Sequence, residues 1–478
     1  MKTIFDQLQF LSVRDGHLYM EGIDLIDLAQ QYGTPLYVYS EKRLKENVNE
    51  ILSSFRAFHP KTSLHYAAKC DATLANLQII NEAGSDIEVN SGGELFKALH
   101  AGFQGNQIIF NGVAKTVDEI KLAIENNIKS INVDSEFELK RIIEVAKYLK
   151  KKANVMIRFV PEVSTGVVKG NETGTHESKF GITQDKIIEV YQECLSHQNV
   201  FNIRGIHFHI GTQTYDLKSF LDAFKVMLKM TIEVYQKTGY KPEMLNIGGG
   251  LPVPHLIDIT ASQYMPENIY AMLRGDLSIQ QIAEAVTDEM KPAKVEIWAP
   301  EFKDFFNHCE LIVEAGRKVV CDAAVLLSTV ENRKKREAIN ENWMMLDAGF
   351  NTLLEVKTYS WYYHMLSANK IDEPHIKHYK VGGPCCDSGD VYFDIDEHVN
   401  LPDYRKLPES TEVGDIIAML NVGAYGTPTM SNYNGRPKAA IVLIQEDGTV
   451  SISRNREAYI DLLTNEYALN QLRKDKNN

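Results

Sequence analysis

From Ser40 to Arg317, strand-like apolar runs alternate with amphipathic helical runs, and this alternation limits the possible folds more than any other feature of the sequence. The strand-like runs are Ser63–Ala68, Ile87–Ser91, Gln107–Asn111, Ser130–Asp134, Val155–Val160, Ile203–Ile210, Met244–Ile247 and Leu311–Glu314. Stretches such as Glu41–Phe58, Ser135–Lys151 and Leu217–Thr238 lie between them, with apolar residues at helical spacing. Strands joined by helical crossovers pair in parallel, and this number of units predicts an α/β fold, a closed (β/α)8 barrel. A doubly wound open sheet has the same local grammar and is the alternative. The segment Leu251–Phe306 is long for one connection and reads as an insertion on the barrel rim. Past Arg317 the alternation stops. Runs at Lys318–Leu327, Asn342–Asp347, His378–Val381, Ile416–Met419, Ala439–Ile444 and Thr449–Ser453 predict a mainly β second domain. The expected layout is residues 1–35 joining the β domain, 36–317 as the barrel and 318–478 as the β domain, with a frayed tail at 473–478.

Composition narrows the function. A chain of 478 residues exceeds one compact core. A net charge of −13 argues against nucleic acid or an anionic membrane surface as partner. No apolar run is long enough to span a bilayer, and the first residues lack a secretory pattern. The six cysteines are scattered, apart from the adjacent Cys385 and Cys386, which suggests free thiols in a reducing compartment. A cytoplasmic enzyme acting on a small molecule is expected.

In a barrel, chemistry sits at the carboxyl ends of the strands. In this sequence those ends carry Lys69, Ser91-Gly-Gly-Glu94, Asn111, His207-Phe-His209, Gly248-Gly-Gly250 and Glu314-Ala-Gly-Arg317. Each has a bland reading. Lys69 alone would be a surface charge, Glu314 a solvated acid, and Cys385–Cys386 buried filler. His207 and His209 could form half a metal site, but further ligands at zinc-like spacing are missing, so no metal is expected. The glycine triplet is not a dinucleotide fingerprint, yet it would let backbone N–H groups approach a phosphate. Taken together, these residues meet one chemical requirement. Decarboxylation of an amino acid leaves a carbanion that needs an electron sink, and pyridoxal phosphate, held through a lysine, is such a sink.

The motifs Tyr66-Ala-Ala-Lys69, Ser91-Gly-Gly-Glu-Leu95, Ser178-Lys-Phe-Gly181, His207-Phe-His-Ile-Gly-Thr-Gln213, Gly248–Gly250, Glu314-Ala-Gly-Arg317, Gly383-Pro-Cys-Cys-Asp-Ser-Gly-Asp390 and Gly423-Ala-Tyr425 occur in this order. The chain thereby resembles the fold-type III pyridoxal-phosphate decarboxylases, the family of diaminopimelate, ornithine and biosynthetic arginine decarboxylases, with a barrel of the alanine-racemase-like type. The resemblance is nearest to the diaminopimelate branch and runs from Thr34 to Pro437. It implies that Lys69 holds the cofactor as an imine and His209 stacks on its ring. It implies that Thr212, Gly248, Gly249, Gly250, Gly316 and Tyr425 hold the phosphate and Glu314 pairs with the ring nitrogen. Arg317 is implied to contact the phosphate or a substrate carboxylate, and Cys386, from the partner subunit of a homodimer with shared sites, to protonate the carbanion. Asp387, Glu355 and Tyr359 are the implied substrate-side residues.

Three departures from the family pattern stand out, one of them a local backbone difference, Ala315 after Glu314 where the family usually has Pro. The other two bear on substrate. Asp387 stands where diaminopimelate decarboxylases usually carry Glu, and Glu355 where they usually carry an arginine for the far carboxylate, with Lys357 nearby. An acid at that place would repel a carboxylate and favour a cation. The expected substrate is therefore a lysine- or ornithine-type diamino acid, the D isomer included, with meso-diaminopimelate as the alternative. A catalytically inactive binding homologue is the alternative of another class, and retention of Lys69, Glu314, Cys386 and Tyr425 speaks against it. Racemases of this fold place an arginine at the ring nitrogen, so Glu314 speaks for decarboxylation.

Overall fold

The computed structural model describes residues 8, 10–164, 174–175, 177–255, 265–359, 361–395 and 401–469. The expected tail at 473–478 lies outside them. In chain order, β1 (Leu11–Arg14), β2 (His17–Met20), β3 (Ile23–Asp24) and β4 (Leu36–Ser40) come first. They are followed by β5 (Thr62–Ala67), β6 (Asp86–Val89), β7 (Ile108–Phe110), β8 (Ser130–Val133), β9 (Ala153–Arg158), β10 (Phe201–His207), β11 (Met244–Asn246) and β12 (Glu310–Val313). The last set is β13 (Ala324–Arg336), β14 (Glu341–Leu346), β15 (Met365–Ser367), β16 (Lys377–Gly382), β17 (Arg405–Leu407), β18 (Ile416–Leu420), β19 (Ala440–Ile444) and β20 (Val450–Arg454).

The chain divides into two compact units, residues 42–322 and residues 1–41 with 323–478. In the first, β5 to β12 close into a parallel barrel in chain order, β12 pairing back onto β5. Closure decides against the open sheet. Strands buried on both faces explain the near-continuous apolar runs, such as Ile108-Ile-Phe110, all fully buried. Sequence-local caps start the helices between strands. Thr116 accepts from Glu119 N–H while Glu119 reaches back to Thr116 N–H, and Ser135 accepts from Glu138 N–H. The Ser91-Gly-Gly-Glu94 motif is such a cap: Ser91 Oγ accepts from Glu94 N–H at 3.2 Å and Glu94 Oε2 accepts from Asn90 N–H at 2.7 Å. Inside the barrel, Ile109, Met156, Met244 and Ile312 pack together as an apolar floor. The long segment after β11 contains helices Glu267–Arg274, Ile279–Asp288 and Pro292–Trp298.

The second unit holds a three-stranded meander, β1–β2–β3, and a nine-stranded sheet. In that sheet β13 runs antiparallel to β4, β14 and β18, while β4 runs parallel to β19. Residues 36–41 therefore belong to this unit and not to the barrel range expected from the sequence, because β4 finds its hydrogen-bond partners on β13 and β19. Residues 318–320, read as strand, are the helical turn Arg317–Val320, and the strand that follows runs on to Arg336.

Candidate active site

The carboxyl ends of the barrel strands converge on Glu314. Its Oε2 accepts from Asn111 Nδ2 at 2.9 Å and its Oε1 from Asn246 Nδ2 at 2.7 Å. Asn111 follows β7 and Glu314 follows β12. Those strands are not neighbours, so this bond crosses the barrel interior. Both amides have their orientation dictated from behind. Asn132 Nδ2 donates to Asn111 Oδ1 at 2.7 Å, and Gly248 N–H donates to Asn246 Oδ1 at 2.9 Å. Each asparagine must then turn its NH2 toward Glu314. Burial alone would push the Glu314 carboxyl up; His207, with Nε2 at 3.3 Å, and the Asn246 amide hold it far below the usual carboxylate range instead. Burial lowers the His207 pKa, and Glu314 opposes that shift. The ionised state of Glu314 therefore rests first on His207 and then on the Asn246 amide, with the Asn111 amide as a further donor.

Lys69 stands on the turn Ala68–Cys70, directly after β5, exposed between two buried neighbours. The turn is locked by buried Asp71, which accepts from Thr73 Oγ1 at 2.7 Å and Asn76 Nδ2 at 2.5 Å, and by Tyr66, whose hydroxyl donates to Asp71 O at 2.8 Å. Gly316 presses on it from β12's end: a Cβ there would stand 2.3 Å from Cys70 Sγ and 3.1 Å from Ala67 Cβ. The Lys69 charge acts on His209, Glu88 and Glu94. His209 Nδ1 accepts from Gly249 N–H at 3.0 Å, which places the ring proton on Nε2. Burial, then the Lys69 and Arg158 charges, keeps this imidazole neutral.

The glycine triplet is wedged between strand ends. A Cβ on Gly248, whose φ is +65°, would meet Phe208 O at 2.5 Å, and one on Gly249 would meet Glu314 O at 2.3 Å. Two of its N–H groups are spent inside the protein, on Asn246 and His209. Among the described residues Gly250 N–H has no acceptor, so a phosphate reading narrows to that group. Thr212 is half-buried. Gln213 is a brace, donating to Val253 O at 2.7 Å and Met272 O at 3.0 Å. Arg317 is buried and its charge bears on His255, whose Nε2 lies 3.4 Å from Cys321 Sγ. The Ser178-Lys-Phe-Gly181 motif seats Phe180 under the Arg158 guanidinium at 4.5 Å, while Gly181 N–H donates to Asp134 at 3.0 Å.

The remaining expected residues lie in the other unit. The loop Gly383–Asp390 separates its two cysteines. Cys385 is buried with its thiol toward Asn351 and pushed up to about 11, chiefly by burial, whereas Cys386 is exposed. Buried Asp390 shapes this loop by accepting from Cys385 N–H at 2.6 Å and Phe350 N–H at 2.7 Å. Cys386 N–H donates to Asn434 Oδ1 at 2.6 Å, and Tyr433 donates to exposed Asp387 at 2.9 Å. Tyr425 is half-buried at φ +60°, and Tyr359 is exposed. Glu355, read from sequence as facing a substrate, is instead 2% exposed and accepts from Tyr363 O–H at 3.2 Å. Glu355 is thus turned into the protein and onto Tyr363, so it does not line an open surface where a second substrate carboxylate would meet it.

Sequence reasoning overlooked Glu88, Asn132 and Asn246. The available signal was a polar residue inside an apolar strand: Ile-Glu-Val, Ile-Asn-Val and Leu-Asn-Ile. Among the described residues no helix is long and apolar enough to cross a membrane, and no group of three or more His, Cys, Asp or Glu is placed to hold a metal ion. The barrel mouth fits a pyridine aldehyde phosphate. It offers an exposed primary amine, an ionised carboxylate with fixed donors, and a glycine cradle that any Cβ would fill.

The pyridoxal-binding domain of the pyridoxal-dependent decarboxylases matches residues 44–321. The diaminopimelate decarboxylase of Methanocaldococcus jannaschii is 33% identical over 97% of this chain and 98% of its own length. That of Methanothermobacter thermautotrophicus is 34% identical over 94% and 95%. The crystal structure of the M. jannaschii enzyme in complex with L-lysine superposes with a TM-score of 0.83 at 31% identity, covering 97% of this chain and 99% of that one.

Proposed function

Because the chain belongs to the pyridoxal-dependent decarboxylase family, and so is a pyridoxal-phosphate-dependent carboxy-lyase, we propose that it decarboxylates meso-diaminopimelate at its D centre, leaving L-lysine. The observation that carries the chemistry is Glu314, held as a carboxylate by His207 and by two amides whose orientation is fixed. The full-length similarity to diaminopimelate decarboxylases, one of them crystallised with L-lysine, supports the substrate.

Pyridoxal phosphate, when bound, supplies the sink for the electron pair released with carbon dioxide. The protein's own groups do the rest. Lys69 provides the amine that anchors the cofactor. Glu314 holds a negative charge that would pair with the ring nitrogen and favour its protonated form. His209, neutral and fixed by Gly249, offers a flat face without adding positive charge. Gly250 N–H, Gly316, Thr212, Arg317 and Tyr425 are the proposed phosphate holders. Cys386, exposed on its braced loop, is the proposed proton donor to a second copy's site. A thiol can serve that role because it carries a proton it can give up, leaving a thiolate.

A second reading keeps the same chemistry on a lysine- or ornithine-type D-diamino acid. It is favoured by one observation, the absence of any arginine between Asp347 and Tyr359. Carbon dioxide release from meso-diaminopimelate and from D- and L-lysine and ornithine separates the two. Turnover of meso-diaminopimelate well above the others supports the first reading, and preference for a D-diamino acid without a far carboxylate overturns it.

A further inference from the structure

Most of the buried polar side chains around Glu314 bond to one another, but the carboxyl of Glu88 does not. Asn111, Asn132, Asn246 and Glu314 are joined by hydrogen bonds. Glu88, 1% exposed, has no hydrogen-bond partner on either carboxyl oxygen among the described residues. An unpartnered buried carboxyl is expensive to retain as an anion, and a barrel floor could have been finished with an apolar residue. Its position is specific. Glu88 on β6 lies in register with Ala67 on β5, and Lys69 stands on the turn that follows. Four charged groups face it: Lys69, Glu314, Glu94 from the next helix, and Arg158 from the end of β9. The Asn111 amide is close but engaged with Glu314. Lys69 is the strongest of these charges at Glu88. Burial, only partly opposed by Lys69, pushes the Glu88 carboxyl up to about 7, so it can take or give a proton at neutral pH.

We propose that Glu88 is the proton-exchanging neighbour that sets the charge of the Lys69 amine. An Nζ–H bond of the ammonium breaks as an Oε–H bond forms on the Glu88 carboxylate, leaving the Lys69 nitrogen with a free electron pair to attack a carbonyl carbon. The pair is neutral overall before and after, so no net charge is created in the buried site. The reverse transfer recharges Lys69 when its nitrogen is released. For this transfer the Lys69 side chain, exposed on a long stem, has to turn toward β6. Glu88 acts through Lys69 and is a positioning residue. This inference rests on the family reading only in taking Lys69 as the reacting amine.

The test follows attachment of pyridoxal 5′-phosphate to the full-length protein after cofactor removal, by visible absorbance, from about pH 5.5 to 8.5. In the wild type the rate rises about tenfold through an inflection near neutrality. Glu88→Gln loses that inflection and is slow at high pH, while Glu88→Asp keeps a displaced one. A Glu88→Gln profile that superimposes on wild type, or is only scaled down uniformly, overturns the proposal. Infrared spectroscopy of the cofactor-free wild type gives an independent readout. A buried carboxylic-acid band that fades as pH rises through neutrality, and is missing in Glu88→Gln, is expected; no such band in wild type means an always-ionised Glu88 and refutes the idea. If the wild type forms no coloured adduct at any pH, the family-based function fails and this proposal with it.

Discussion

Gly316→Ala is the sharpest test of how the barrel's closure holds Lys69. The added Cβ would lie 2.3 Å from Cys70 Sγ, 3.1 Å from Ala67 Cβ and 3.4 Å from Ala67 O. Ordinary carbon–sulfur contact is near 3.5–4 Å, so the neighbours must retreat by roughly an ångström. Neither can swing into solvent, since Cys70 is 1% and Ala67 3% exposed. Both flank the turn that carries Lys69, so relief must come from shifting that turn or β12. Overpacking of this kind costs about 1–3 kcal/mol. In a protein of 478 residues that lowers the apparent midpoint of thermal unfolding by only roughly 1–3 °C. Cofactor attachment to Lys69 should weaken in parallel. Cys70→Ala removes the obstructing sulfur and alone costs about 1 kcal/mol. The double variant should then be more stable than the sum of the singles by about 1–2 kcal/mol, measured by calorimetry as a mutant cycle. Additivity within about 0.5 kcal/mol would refute the claim that Gly316 is required by the thiol next to Lys69.

Three further outcomes are expected. Glu314→Gln sets an amide NH2 against an asparagine NH2; folding and cofactor attachment survive, while carbon dioxide release falls roughly 10²–10³-fold, and an unchanged rate would remove Glu314 from the chemistry. Lys115 donates to Glu138 at 3.0 and 3.1 Å, both buried, so Lys115→Met strands an acid at a cost of about 3–5 kcal/mol, which Lys115→Met/Glu138→Leu should largely recover in denaturant unfolding. Mixing inactive Lys69→Ala with inactive Cys386→Ala should restore about a quarter of wild-type activity if random dimers pair one intact site, and no recovery would place Cys386 outside a shared site.

The barrel was legible because its strands are buried on both faces and its helices begin with local caps such as Thr116–Glu119. Lys69, His209 and Glu314 stood out because strand ends are where barrels keep their chemistry. The amide relay was not legible. Asn132 and Asn246 matter through partners on strands distant in sequence, and no spacing rule encodes a bond across a barrel. Glu355 misled for a related reason: alignment gives a position but not a direction, and Tyr363 decides the direction. Val319–Val320 looked like strand by β-branching, yet tertiary context makes it helical. The charged run Glu331–Arg336 hid the end of β13, because its pairing with β14 continues on an exposed edge.

Lys69 is the amine expected to carry the cofactor. Borohydride reduction of the purified yellow protein, followed by trypsin digestion and mass spectrometry, should find one pyridoxyl-modified peptide, residues 62–97, with the added mass on Lys69. A modified Lys115 or any other lysine, with Lys69 unmodified, would contradict this assignment.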